Sequence, residues 1–249
     1  MKLNIEIWRQ EGPNTQGHFD KHVLDDVKPS MSLLEVMDRL NDQIAHQGGE
    51  PVAFESDCRE GICGTCGVTV NDRPHGPVEN TPTCRQHVRS LGNVDTLRIE
   101  PLRSAAFPVI RDLVVDRSAL DHIIQAGGHV AIDAGTAMDA DDTPVSHEVA
   151  ELSLDFAACI GCGACVAACP NGAAHLFAGA KLMHLSLLPH TTQERGRRAK
   201  KIMAATEAEF GPCSSYGLCA EVCPAEIPLA AIAGLQREKL RSVFKGRDN

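Results

Sequence analysis

Two cysteine-rich stretches of equal length indicate what this chain folds around: residues 159–170, CIGCGACVAACP, and residues 213–224, CSSYGLCAEVCP. The first has the spacing C-x2-C-x2-C-x3-C-P, which is typical of bacterial iron–sulfur proteins. In that pattern three cysteines hold one cluster and the fourth crosses over to another. The second stretch has the same frame, but Tyr216 stands where its second cysteine would be. The spacing therefore predicts two clusters whose ligands are shared between the stretches.

This crossover assigns all seven cysteines of the two stretches. One site receives four thiolates, enough for [4Fe–4S]: Cys159, Cys162, Cys165 and Cys223. The other site receives only three: Cys169, Cys213 and Cys219. Because Tyr216 cannot replace a thiolate as the fourth ligand, the sequence predicts [3Fe–4S] at this site.

A third cysteine pattern lies nearer the N-terminus. It has the plant-type spacing C-x4-C-x2-C…C of a [2Fe–2S] centre, and its members are Cys58, Cys63, Cys66 and Cys84. The glycines in and beside this loop, Gly61, Gly64 and Gly67, allow positive φ angles and let backbone N–H groups approach the sulfurs. The eleven cysteines of the chain thus divide as four, four and three, with none left over.

Composition restricts the class of protein further. A net charge of −9 over 249 residues argues against nucleic acid as a partner. An odd number of cysteines excludes a complete set of intrachain disulfides, and the N-terminus lacks the apolar region of a signal peptide. We therefore expect a reducing compartment. No stretch of about 20 apolar residues is present, so we expect no transmembrane segment in this chain.

The N-terminal third has the pattern of a small α+β domain. Residues 3–7 alternate as in a half-buried strand, and residues 18–27 are the predicted returning strand. Ser30 or Ser32 is expected to cap a helix that ends near Gly48. Further strands are predicted at residues 67–70 and 94–99, and we place the domain at residues 1–104.

The rest of the chain, residues 105–249, is predicted to be mainly helical. Beyond a short helix at 118–125 and an exposed loop at 133–144, three longer segments lack proline and are rich in helix formers: residues 173–188, 195–209 and 229–244. A basic run between Arg195 and Lys201 is most simply a solvated helix face, with a docking surface as the alternative. No nucleophile–base pair or phosphate-binding glycine loop is visible, so we expect no catalytic residue.

Other interpretations of the cysteines stay open. Structural zinc sites also use C-x2-C pairs, although a set of three cysteines suits zinc poorly. The N-terminal four could instead form a disulfide and two separate thiols. A Rieske centre would replace two cysteines by histidines, and His75 and His87 lie nearby, but all four cysteines are present.

The order of these motifs resembles that of a known family. Between the cysteine patterns lie three further segments: FPVIRDLVVD at 107–116, LFAGAK at 176–181 and CAEVCPAEIP at 219–228. Together they closely resemble the iron–sulfur subunit of succinate dehydrogenase and fumarate reductase, over nearly the whole chain.

The resemblance implies a β-grasp [2Fe–2S] ferredoxin domain followed by an all-α helical ferredoxin domain of the bacterial type. It implies two kinds of partner: a flavoprotein with bound FAD, and a membrane anchor that binds quinone and often haem b. Electrons would then run from FAD through [2Fe–2S], [4Fe–4S] and [3Fe–4S] to quinone. The chain would lie on the cytoplasmic face of the bacterial inner membrane, held there by the anchor.

Two departures from the family pattern affect these expectations. The segment between Cys66 and Cys84 is longer than in the commonest members. Many members also carry a tryptophan and a histidine of the quinone site where this chain has residues 171–174, NGAA, and Ser214. No quinone ligand is therefore carried over, and the departure fits members that use menaquinone. Two rival interpretations are a thiol-dependent soluble fumarate reductase and a free-standing ferredoxin-like carrier.

Overall fold

The computed structural model describes residues 1–92, 96–131, 145–189 and 192–245. The N-terminal part contains a β-sheet and one long helix, and every regular element described beyond residue 145 is helical. The predicted α+β class is therefore confirmed at this level. The finer assignments, a β-grasp domain and a helical ferredoxin domain divided at residue 104, stay predictions.

Five strands form one mixed sheet in the order β2-β1-β5-β3-β4. They are β1 (Leu3–Arg9), β2 (His18–Leu24), β3 (Val68–Val70), β4 (Arg73–Pro74) and β5 (Thr96–Pro101). β1 is antiparallel to β2 and parallel to β5. The predicted returning strand was three residues too long, because the chain turns after Leu24 and Asp26 adopts a positive φ of 57°.

Helix α1 (Leu33–His46) covers one face of this sheet. Its N-terminus is fixed as the sequence predicted, since the Ser32 hydroxyl accepts the N–H of Glu35 and the Glu35 carboxylate accepts the N–H of Ser32. This reciprocal pair satisfies two backbone donors that a helix end otherwise leaves unpaired. The apolar face of α1 and the inward residues of β1 and β5 share one core.

A short hairpin connects the two halves of the chain. It consists of β6 (Val109–Arg111) and β7 (Val114–Val115), and helix α2 (Ser118–Ile123) follows and continues into a π-turn at Ile124–Gly128. At the hairpin tip, the buried Asp112 carboxylate accepts the N–H groups of Gln10 and Ala53. The hairpin is thereby attached to the N-terminal part of the chain.

The C-terminal half contains six helices in its described residues. They are α3 (His147–Ala157), α4 (Ala164–Ala167), α5 (His175–Ser186), α6 (Thr192–Glu209), α7 (Leu218–Glu221) and α8 (Ala230–Lys245). α5 is buried almost throughout and packs against α3, α6 and α8. Gly179 permits the close approach of α8, because a Cβ there would lie 2.4 Å from the carbonyl oxygen of Ala231. None of the helices within the described ranges is long and apolar enough to cross a membrane.

The basic run on α6 departs from its predicted solvated face. Arg198 is buried, and its guanidinium donates to the carbonyls of Gly127 and His129. Arg195 forms a two-point ion pair with the buried carboxylate of Glu238. The prediction of a solvated face was therefore wrong for these two arginines, whose guanidinium groups bond to other groups of the same chain. The predicted loop at 133–144 and the first two residues of the predicted strand at 94–99 lie outside the described residues.

Candidate iron–sulfur sites

The loop that carries Cys58, Cys63 and Cys66 directs backbone donors at sulfur. The Sγ atom of Cys58 accepts the N–H groups of Glu60 at 3.3 Å and Ile62 at 3.5 Å. These two bonds lower the pKa of the Cys58 thiol to about 6, which favours the thiolate form that binds metal. The positive φ of Gly61, 86°, lets the loop turn back in this way.

Two other thiols of the N-terminal set belong to the core that the sheet shares with α1. Cys66 and Cys84 are buried, and burial raises the pKa of the Cys66 thiol to about 12. The neighbouring thiol groups of Cys84 and Cys63 raise this pKa further. Cys63 also lies near enough to Cys58 to help lower the pKa of the Cys58 thiol. The structure thus brings together all four cysteines predicted for [2Fe–2S].

The second set gathers cysteines from both C-terminal stretches. Cys159, Cys162, Cys165 and Cys223 line one small cavity between α4 and the chain before α8. Burial, followed by the nearby thiols of Cys159 and Cys223, raises the pKa of Cys162 to about 12. The N–H of Ile227 donates to the Cys223 sulfur at 3.4 Å. This is the grouping that the crossover predicted for [4Fe–4S].

The third set opens towards the surface. A cavity of about 320 Å³ is lined by Cys169, Cys213 and Cys219, with Tyr216 at its edge. Burial raises the pKa of Cys219, and the thiols of Cys169 and Cys213 raise it further. Tyr216 is 58% exposed. The three cysteines predicted for [3Fe–4S] therefore adjoin one cavity, and the residue that replaces a fourth cysteine lines the same space.

None of the eleven cysteines is in a disulfide. Nowhere in the described ranges are three or more Cys, His, Asp or Glu side chains gathered closely enough for a single metal ion. A four-cysteine zinc site needs its sulfurs about 2.3 Å from one point. An iron–sulfur cluster instead distributes its thiolates over several iron atoms, two on each iron of [2Fe–2S] and one on each iron of [4Fe–4S], so interacting thiols spread around a cavity fit it better.

Some contacts around the cysteine sets have no signal in the sequence. Asn171 and Ser214, which occupy the places where the family often has quinone-site residues, are joined by a 2.8 Å hydrogen bond from Nδ2 to Oγ. Arg117 contacts two of the cysteine loops. Lys181 donates to the carbonyl of Cys159 at 2.8 Å. His75, considered with His87 for a Rieske centre, is buried, and its Nδ1 accepts the N–H of Thr83 at 3.2 Å.

Comparison with known proteins agrees with these sites. A family model described as a 2Fe-2S iron-sulfur cluster binding domain matches residues 4–122, and one described as a 4Fe-4S dicluster domain matches residues 158–227. The two models define the chain as an iron–sulfur protein.

Named relatives narrow this class. The fumarate reductase iron-sulfur subunit of Escherichia coli O157:H7 is 31% identical over 216 residues, which cover 85% of this chain and 81% of the relative. The succinate dehydrogenase iron-sulfur subunit of Bacillus subtilis is 26% identical over 228 residues, covering 88% and 85%. The chain belongs to the family of succinate dehydrogenase and fumarate reductase iron–sulfur subunits.

A solved structure shows the same fold. A chain of the Mycobacterium smegmatis Sdh1 complex in the apo form superposes with a TM-score of 0.70, at 23% identity, over 99% of this chain and 98% of that one. At this identity the likeness concerns the fold alone.

Proposed function

We propose that this chain is the electron-transfer subunit of a membrane-bound succinate:quinone oxidoreductase. It would carry electrons from FAD in a flavoprotein subunit, through [2Fe–2S], [4Fe–4S] and [3Fe–4S], to quinone at a membrane anchor. The observation that carries the proposal is the division of eleven cysteines into three neighbouring sets. The clusters would supply one-electron chemistry, and the protein would supply ligands, spacing and electrostatics.

The three sets follow one another through the molecule. Gly64, in the loop of the first set, lies against the backbone of Ile160 in the loop of the second. Cys165 of the second set is close enough to Cys219 of the third for the Cys219 thiol to help raise the pKa of Cys165, after burial and the thiols of its own set. Proximity of the first set to the second and of the second to the third is what a relay in this order needs.

Each set has surroundings that suit a different position in the relay. The backbone N–H groups at Cys58 stabilise negative charge on sulfur and so favour the reduced form of a bound cluster. In the middle set Cys162 and Cys223 are buried, which shields that part of the set from water.

The third set lies in the cavity of about 320 Å³, and apolar side chains line the opening of this cavity. Tyr216, Leu218 and Leu229 are all large exposed side chains, and all three line this cavity. Exposed apolar groups around a redox site are typical of a surface that a partner covers. We therefore assign the membrane anchor, with its quinone and haem b, to the end of the chain that carries the third set. The quinone is assigned as menaquinone, because the chain departs from the usual quinone-site residues at 171–174 and Ser214. The flavoprotein is assigned to the Cys58 end, and the complex to the cytoplasmic face of the inner membrane.

The proposal is tested by purifying the tagged chain from detergent-extracted membranes. We expect it to co-purify with a flavoprotein and an anchor, and succinate to reduce its centres as followed by EPR. Isolation as a stable soluble monomer with intact clusters would favour a free-standing carrier and contradict the proposal.

A second candidate is the iron–sulfur subunit of a quinol:fumarate reductase. It is favoured by the identity to the fumarate reductase subunit of E. coli, which at 31% is higher than the identity to the succinate dehydrogenase subunit of B. subtilis at 26%. The same relay can serve both directions. The ratio of succinate oxidation with a quinone to fumarate reduction with a quinol, measured on one purified complex, distinguishes them.

A further inference from the structure

The first two cysteine sets meet through direct backbone contact. Gly64 lies between Cys63 and Cys66, and it adopts a positive φ of 76°. A Cβ at this position would lie 2.3 Å from the carbonyl oxygen of Ile160, in the loop of the second set. The two loops therefore touch with no side chain between them at this point.

Arg117 is hydrogen-bonded to both of these loops. Its Nη1 atom donates to the carbonyl of Gly64 at 2.6 Å and to that of Cys162 at 3.2 Å. Its Nη2 atom lies 3.5 Å from the carbonyl of Thr65. The stem of the side chain passes Gly163, where a Cβ would lie 3.6 Å from the Arg117 Cδ. One partly buried side chain thus spans the junction of the two loops.

The neighbouring cation has a narrower role. Lys181 lines the same surface cleft as Arg117, but its amino group bonds to the carbonyl of Cys159, within the second loop only. A lysine has one compact charged group, whereas the planar guanidinium presents several donors in fixed directions. The Nη1 group of Arg117 donates to one carbonyl of each loop, whereas the amino group of Lys181 donates within one loop.

Arg117 also brings a permanent positive charge to this junction. Glu55 offsets part of that charge, since its carboxylate lies 3.0 Å from Nη2, but the Glu55 side chain is 46% exposed whereas that of Arg117 is 19% exposed. A cation beside a cluster stabilises the added electron and raises the reduction potential.

We propose that Arg117 is a positioning residue of the electron relay, which fixes the first two cysteine loops against each other and raises the reduction potential there. This inference rests on the proposed function, because it requires clusters at the first two sets. The bridging part depends on the Nη1 group at the end of the long arginine side chain, and the potential depends on the charge. The two parts can therefore be separated by substitution.

Three variants of the complete complex make the separation. Arg117→Lys keeps the charge, but its shorter side chain does not carry a donor to the Nη1 position. Arg117→Gln loses both the charge and that donor. The matched control is Arg39→Gln, since Arg39 also donates to two backbone carbonyls, those of Asp25 and Asp26, but in a part of the chain without cysteines. Iron content, hydrogen–deuterium exchange and EPR-monitored redox titration are measured on each.

We expect all three variants to retain their iron. Hydrogen–deuterium exchange should rise in two segments, residues 60–66 and residues 159–165, in both Arg117→Lys and Arg117→Gln. It should not rise there in Arg39→Gln. The midpoint potential of one or both of the first two centres should fall in Arg117→Gln and stay near the unmutated value in Arg117→Lys.

Unchanged exchange in both Arg117 variants would overturn the bridging role, and unchanged potentials in Arg117→Gln would overturn the electrostatic one. Loss of iron from both Arg117 variants, with Arg39→Gln intact, would make Arg117 an assembly residue and also overturn the proposal. If the unmutated complex itself lacked the first two centres, the proposed function would fail, which is a separate result.

Discussion

Replacing Tyr216 with cysteine should convert the third centre from three irons to four. Tyr216 stands at the place in the 213–224 frame where the 159–170 stretch has Cys162, and it lines the same cavity as Cys169 and Cys213. A thiolate there would complete a set of four ligands. Added electron donation by this thiolate disfavours reduction, so the potential of the centre should fall.

The substitution should leave the fold intact. Because the Tyr216 side chain is 58% exposed, its removal creates no internal cavity, and the free energy of unfolding should change by no more than about 0.5 kcal/mol. The iron content should rise by one atom per chain, and the three-iron EPR signal of the oxidised protein should disappear.

Two controls accompany this substitution. Tyr216→Ala removes the phenol without adding a thiolate, and Ser215→Cys adds a thiolate one position out of frame, at a residue with a positive φ of 58°. Both should keep the three-iron signal. An unchanged three-iron signal in Tyr216→Cys would refute the ligand assignment at this site.

Two further predictions concern residues near the N-terminal cysteine set. Gly64→Ala should lose iron from the first or second centre, because its Cβ would meet the Ile160 carbonyl. The control Gly48→Ala has a similar φ of 77° but open space around it, so it should destabilise the fold by only about 1 kcal/mol and keep all iron. Equal iron content in both variants would show that the loop contact is dispensable. Burial lowers the pKa of His75 to about 4, so the folded chain keeps it neutral, and its contribution to stability is complete above pH 6.5. As the pH falls towards 4, the unfolded state gains the proton first, and the free energy of unfolding falls by about 3 kcal/mol. The melting temperature of His75→Gln should therefore depend less on pH in this range than that of the unmutated chain. Parallel pH profiles of the two proteins would contradict this.

Local patterns in the sequence predicted the local structure well. Ser32 and Glu35 are three residues apart, and their reciprocal cap follows from that spacing alone. The cysteine spacings likewise predicted which thiols the structure brings together. Most ligands of each set are close in sequence, and the crossover rule connects only two stretches.

Contacts between distant residues could not be predicted in this way. Arg117 is 53 residues from Gly64 and 45 from Cys162, so no periodicity links them. Arg198 was predicted to be solvated because charged helix residues usually are, yet it is buried where three carbonyls converge near the π-turn. In both residues the fold decides which carbonyls are available to the guanidinium.

The most direct measurement of the three cysteine sets is a metal analysis of the protein isolated without air. Nine iron atoms per chain are expected, two, four and three from the three centres, with no zinc and with three distinguishable EPR signals. Four or fewer iron atoms, or stoichiometric zinc, would contradict the assignment of the eleven cysteines and the relay that depends on it.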